Sequence, residues 1–198
     1  MTNFATNSMT MVSVFDDMTQ VTATIVQCMF PLVNEQRRNE ALRYKHVFGQ
    51  YACLKSWLML ADMLRPLGVT DLEMDFNEHG KPFLKNHPNI YFNLSHCKNG
   101  IAVAVDFAPI GIDIESFRKD SVALVRRTMN AAETEWILST SASIEMFARF
   151  WTQKEAVLKL RGTGIIDDLH YVLNGEGYRL ETHVNRDKRY AWSVAYAS

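Results

Sequence analysis

The chain has almost no net charge: 21 Lys and Arg against 22 Asp and Glu leave −1 over 198 residues. Nothing global draws it to nucleic acid or to an anionic membrane, so any basic cluster has to be judged locally. Cysteine is scarce as well. Cys28, Cys53 and Cys97 are odd in number and irregularly spaced, which excludes a disulfide framework and a cysteine metal site. A reducing cytoplasm is the simplest setting. No apolar run reaches the roughly 20 residues of a membrane span. Asp16-Asp17 interrupts the only N-terminal stretch that approaches a signal peptide, so neither secretion nor membrane insertion is expected. There is no G-x-x-x-x-G-K-[ST] loop, no G-x-G-x-x-G fingerprint and no G-x-S-x-G elbow. These absences remove nucleoside triphosphatase, dinucleotide-binding and serine-hydrolase readings.

What is present is an ordinary soluble composition, 47% apolar and 22% charged, with enough length for a sizeable core. Residues 1–8 are small and polar and read as a frayed end. A β-prone stretch at 10–15 precedes a helical pattern over 22–43, broken near Pro31, with Asn34 as a cap. A long helix is predicted over 47–64, where Leu54, Trp57, Leu58, Ala61 and Leu64 recur at helical spacing. The period then changes to strands between 70 and 107. The order repeats: a strand at 110–115, two helical pieces within 121–138 with Asn130 as cap, and a long helix over 143–161 stopped by Gly162-Thr163-Gly164. Three strands are predicted after it, near 169–173, 178–184 and 190–195. This predicts an α+β fold, a pseudo-twofold pair of similar α/β lobes with strand, helices and three strands each. Ala108-Pro109 divides them into 1–108 and 109–198, one continuous functional unit.

The chemistry concentrates in two stretches. In Gly111-Ile112-Asp113-Ile114-Glu115, read as a strand, the isoleucines take one face, and Asp113 and Glu115 stand about 7 Å apart on the other. Like charges so close repel unless a cation sits between them, and hard oxygen ligands suit Mg²⁺. An acidic solvent face on an edge strand is the plainer alternative. In the second long helix, Phe147, Trp151, Glu155 and Leu158 share a stripe, so Glu155 occupies an inward position where a carboxylate needs a partner or a metal. Lys159 lies one turn further on, and a surface Glu-Lys pair is the plainer reading there. Together, three carboxylates and a lysine are equipment for holding Mg²⁺ on a phosphate or pyrophosphate. Lys81, after the turn at Gly80 and before Pro82, suits a phosphate contact. Ser95 and His96 end a strand with two hydrogen-bonding side chains and read as phosphate donors, with a buried bonded histidine as the alternative.

In this order and spacing, G-K-P at 80–82, F-N-L-S-H at 92–96, G-I-D-I-E at 111–115 and W-T-Q-K-E-A-V-L-K at 151–159 resemble the 4′-phosphopantetheinyl transferases, of the two-lobed type that activates surfactin synthetase. The resemblance covers roughly residues 10–196. It implies transfer of phosphopantetheine from coenzyme A to a serine of an acyl or peptidyl carrier protein, Mg²⁺ as cofactor and release of adenosine 3′,5′-bisphosphate. It also implies a site in the cleft between the lobes. Carried over by position, Asp113, Glu115 and Glu155 are the metal carboxylates, with Glu155 also the general base. Lys159 lies near the pyrophosphate, and Lys81, Pro82, Ser95 and His96 contact the coenzyme. Glu133 is an acidic position near the metal. Arg37, Arg38, Arg43 and Lys45 are candidates for gripping the 3′-phosphate, although Gln50 and Tyr51 stand about where the family has an arginine. The carrier protein is expected to be acidic and to dock near helix 121–138, with Arg126 and Arg127. A monomer is expected. Two other classes remain open: a Mg²⁺-dependent phosphodiesterase or nuclease, and a non-catalytic module binding a carrier protein or the coenzyme.

Overall fold

Two long helices and two three-stranded sheets frame the computed structural model, which describes residues 10–164 and 168–198. The frayed end expected at 1–8 lies outside the described residues. The first half runs β1 (Met11–Phe15), α1 (Ala23–Met29), α2 (Glu35–Leu42), α3 (Val47–Leu64), β2 (Met74–Phe76), β3 (Pro82–Leu84), β4 (Tyr91–Cys97) and β5 (Gly100–Asp106). The second runs β6 (Ile110–Ser116), α4 (Val122–Thr128), α5 (Ala131–Ser139), α6 (Ser143–Arg161), β7 (Tyr178–Asn185) and β8 (Tyr190–Ala197). Pro31 sits in a short 3₁₀ turn between α1 and α2, and the Asn34 side chain accepts from the Arg37 amide to cap α2. Asn130 and Glu133 form a reciprocal capping box at α5. Gly162 ends α6 in the left-handed region at φ 69°, a conformation that favours glycine.

The repeat predicted from the order of elements is visible in the sheets. β1, β5 and β4 pair in the order β1-β5-β4, and β6, β8 and β7 in the order β6-β8-β7, all antiparallel. In each sheet the last strand lies in the middle. Two details differ from the expectation. Residues 169–173 are not a strand; the chain turns there and enters a 3₁₀ turn at Val172–Asn174. Leu169, Val172 and Leu173 pack against α6 at i, i+3 and i+4, a helical spacing rather than an alternating one. The first half also carries an extra two-stranded hairpin, β2 with β3.

The layers follow from strand alternation. On β5, Ile101, Val103 and Val105 face the core around α3, while Ala102 and Ala104 face the opposite sheet. There they meet Ile110, Ile112 and Ile114 of β6, all fully buried. Each such isoleucine contributes about 1.5–3 kcal/mol by leaving water. The other face of β6 therefore points at α6. Gly111 lets the helix settle directly on that face: a Cβ there would stand 2.1 Å from the Ala156 carbonyl oxygen and 2.4 Å from the Leu160 amide nitrogen. Thr152, Ser193 and Thr182 join α6 to β8 and β7 through a chain of hydroxyls at 2.8 and 2.9 Å.

Candidate active site

The alternation of β6 presents Asp113 and Glu115 to α6, and α6 answers with Trp151, Glu155 and Lys159. With Leu94, Ser95 and His96 of β4 these side chains line one cavity of about 390 Å³. β4 and β6 are edge strands of the two sheets, and side chains of one satisfy the backbone of the other. Asn93 Oδ1 accepts from the Ile112 amide at 2.9 Å, and Ser95 Oγ from the Ile114 amide at 3.3 Å. The Ser95 hydroxyl donates to Asp113 Oδ1 at 2.7 Å, and Lys159 Nζ donates to the same oxygen at 2.5 Å and to Ser95 Oγ at 3.1 Å. Asp113 is buried, and its Oδ2 has no hydrogen-bond partner.

The electrostatics mark the cavity as strained by like charge. Burial, and next the Asp113 carboxylate, push the Glu115 carboxyl up to about 7. Burial and then Asp113 raise Glu155 as well, with Lys159 opposing. His96 is held below the usual imidazole range by burial and then by the Lys159 ammonium. The three carboxylates share the cavity without enclosing a point: among the described residues no group of three or more His, Cys, Asp or Glu is arranged to hold a metal ion. Acidic oxygens, one ammonium and a neutral imidazole in one cleft suit chemistry on a phosphate ester or diphosphate.

Residues 109–196, from the start of β6 to β8, match the family model of the 4′-phosphopantetheinyl transferase superfamily. The chain is similar to the 4′-phosphopantetheinyl transferases. The relative psf-1 of Bacillus pumilus, named a 4′-phosphopantetheinyl transferase, is 30% identical over 145 residues, 71% of this chain and 62% of that protein. Sfp of Bacillus subtilis is 25% identical over 138 residues, 67% of this chain and 62% of that protein. HetI of Nostoc is 37% identical over 109 residues, 50% of this chain and 46% of that protein. The chain thus spans 62% of the length of psf-1 and of Sfp. The resemblance read from the four motifs is borne out.

Against this phosphopantetheinyl transferase background, the candidate residues divide into three groups. Asp113, Glu115, Glu155, Lys159, Ser95 and His96 are brought to the one cavity. Lys81 and Pro82 line a neighbouring cleft of about 380 Å³, which shares Leu94, Glu155 and Lys159 with it. The Lys81 ammonium, however, donates to the carbonyls of Ile110 at 3.3 Å and Leu160 at 3.2 Å, and burial lowers it to about 8. Its contacts join the β2–β3 turn to β6 and α6 rather than reaching into open cleft.

Other candidates belong to the fold. Arg37 is buried: its Nε and Nη2 donate to the Cys53 carbonyl, Nη2 to Ser56 and Nη1 to Glu40, and its guanidinium lies over Trp57. A guanidinium so committed is not a grip for phosphate, which corrects the expectation for Arg37. Glu133 likewise lies away from the cavity of Asp113, Glu115 and Glu155. It pairs at 2.7 Å with Lys154, and Lys154 Nζ also donates to the Thr128 and Leu169 carbonyls. Arg38 donates to the Val33 carbonyl from an exposed position. Arg43 and Lys45 are exposed on the segment before α3, whose Phe48 packs edge-on against His96.

Three residues contribute to the site in ways their sequence motifs do not assign. Asn93 is buried in a strand, where asparagine is depleted, and that oddity was the available signal. Gly111 sits inside a strand, a mark of close backbone approach. Trp151 was read as packing and also lines the cavity.

Proposed function

We propose that the protein transfers the 4′-phosphopantetheine group from coenzyme A to a serine of an acyl or peptidyl carrier protein, with Mg²⁺ as cofactor and adenosine 3′,5′-bisphosphate as the second product. The observation that carries this reading is the cavity shared by Asp113, Glu115, Glu155 and Lys159, all four on motifs that fall within the matched stretch. The residues fit a hard divalent cation. Asp113 Oδ2 is buried without a partner. Burial, and next the Asp113 carboxylate, push Glu115 and Glu155 toward their neutral forms, a cost that a cation between them would relieve. Asp113, Glu115 and Glu155 would hold the ion. When bound, Mg²⁺ neutralises charge that develops on the diphosphate.

The chain's own groups then have distinct tasks. The serine oxygen forms a bond to the β-phosphorus of the coenzyme, and the bond from that phosphorus to the bridging oxygen breaks. Adenosine 3′,5′-bisphosphate leaves with that oxygen. Glu155, whose carboxyl burial and then Asp113 raise above the usual carboxylate range, takes the proton of the serine hydroxyl, directly or through water. Lys159 offers its ammonium to diphosphate oxygens, and neutral His96 donates from one ring nitrogen. Ser95 orients Asp113 through their 2.7 Å bond. Lys81 and Pro82 wall the adjoining cleft along which the coenzyme extends, and Arg38, Arg43 and Lys45 remain to meet its 3′-phosphate.

The carrier protein is acidic in this reading and docks beside α4 and α5, where Arg126, Arg127 and Trp136 are exposed. Residues 1–108 and 109–198 act as two lobes of one cytoplasmic monomer; an obligate oligomer that loses activity on dissociation, seen by light scattering, would oppose this. Mass spectrometry tests the whole reading. Fatty-acid, polyketide and peptide carrier proteins are incubated with the protein, coenzyme A and Mg²⁺. One of them gains a phosphopantetheine arm on its serine; no gain across the panel overturns the proposal.

A further inference from the structure

The carboxylate at the centre of the cavity already has a cation on it. Lys159 Nζ lies 2.5 Å from Asp113 Oδ1, and Ser95 holds both groups, donating to Oδ1 and accepting from Nζ. The two oxygens of Asp113 are therefore unlike: Oδ1 accepts twice, while Oδ2 is buried with no partner. The pair is also unequally placed, with the Asp113 side chain 5% exposed and the Lys159 side chain 28% exposed. Asp113 is fixed on β6, buried between the two sheets and α6, and Lys159 reaches it on a flexible four-carbon stem open to the cleft.

We propose that Lys159 is an internal lock on Asp113, and that a divalent metal must displace its ammonium group from Oδ1 to bind. This rests on the metal reading above and adds what controls entry. The lock accounts for the coexistence of three carboxylates in one cavity with no three of them arranged about a metal. A single ammonium satisfies one oxygen of Asp113 and leaves Glu115 and Glu155 short of positive charge. A divalent cation serves all three, and the freed ammonium then faces the cleft, where anionic oxygens of a substrate can take it. The lock is thus a reason for a lysine at this position beyond its contact with the pyrophosphate.

The test uses metal alone, without substrate or turnover. Mn²⁺ binding is measured by calorimetry for the wild-type protein and for Lys159→Met, which keeps the stem and removes the charge. The lock predicts affinity at least about tenfold higher in the variant. In parallel, Mg²⁺ is titrated into wild-type protein labelled with ¹⁵N in lysine, and the Lys159 ε-ammonium resonance is followed. Displacement requires that it move as the ion enters, and this arm needs no variant to fold. Equal affinities overturn the lock and leave the metal site standing. Tighter binding in the variant with an unmoved wild-type resonance also overturns it, since repulsion at a distance would then suffice. Absence of Mn²⁺ binding by both proteins overturns the metal reading itself, and the lock with it.

Discussion

Replacing Gly111 by alanine adds one methyl group at the point where α6 rests on β6. The new Cβ would meet the Ala156 carbonyl oxygen at 2.1 Å and the Leu160 amide nitrogen at 2.4 Å, against the 3.4 Å at which ordinary contact begins. Both partners are helix backbone, so no side chain can turn aside and α6 has to move away by roughly 1 Å. Overpacking of this kind costs about 1–3 kcal/mol. The same helix carries Glu155 and Lys159, while Asp113 and Glu115 stay on the strand. A displacement of about 1 Å between reacting groups costs on the order of 10²-fold in rate. Urea unfolding reads the first effect, and initial rates of carrier-protein modification, taken where the variant remains folded by circular dichroism, read the second. A variant with wild-type stability would refute the close approach. One that loses stability but keeps its rate would refute the claim that this contact sets the geometry of the site.

Two further outcomes concern residues that the structure assigns to the scaffold. Lys154→Met should destabilise the protein by about 3–5 kcal/mol in urea unfolding, because Glu133 is left buried without its partner, and the pairing of Lys154→Met with Glu133→Gln should recover part of that loss. Lys81 titrates near 8 in the folded protein and near 10.5 when unfolded. Between those values the unfolded chain holds more protons, so Lys81 adds stability as pH rises from about 8 to 10.5. Lys81→Met should remove that part of the slope; an unchanged difference between the two proteins across that range would refute the buried placement of its ammonium group.

Much of the architecture was legible because local signals agreed with the tertiary outcome. The bounds of α3 and α6 followed from apolar stripes ended by Pro66-Leu67-Gly68 and by Gly162, and Asn34 and Asn130 were readable as caps. The alternation Ile112, Asp113, Ile114, Glu115 fixed which face carries acid, whatever packed there. The run at 169–173 misled because a short apolar segment fits either period, and only its contact with α6 decides. Partners across long sequence separations were also beyond reach. Lys154 and Glu155 are adjacent, yet one turns into the fold to Glu133 and three backbone carbonyls while the other faces the cavity. Helical phase separates them by about 100°, but the carbonyls awaiting Lys154 come from segments that sequence patterns do not bring together. Arg37 was misassigned for the same reason, since its acceptor at Cys53 and its ring at Trp57 both lie on α3.

The central claim is that the Asp113, Glu115, Glu155 and Lys159 cavity performs phosphopantetheine transfer, and Glu155→Gln tests it most directly. The substitution keeps the volume and removes the charge, so Phe147 and Leu158 should pack as before and the fold should persist. Coenzyme A should still bind, and the initial rate of carrier-protein modification should fall by on the order of 10² to 10⁴, the worth of a positioned general base. If Glu155 were only a surface partner of Lys159, its loss would cost about 0.3–0.5 kcal/mol of stability and leave the rate unchanged. A folded Glu155→Gln protein that modifies carrier protein at near the wild-type rate would contradict the account.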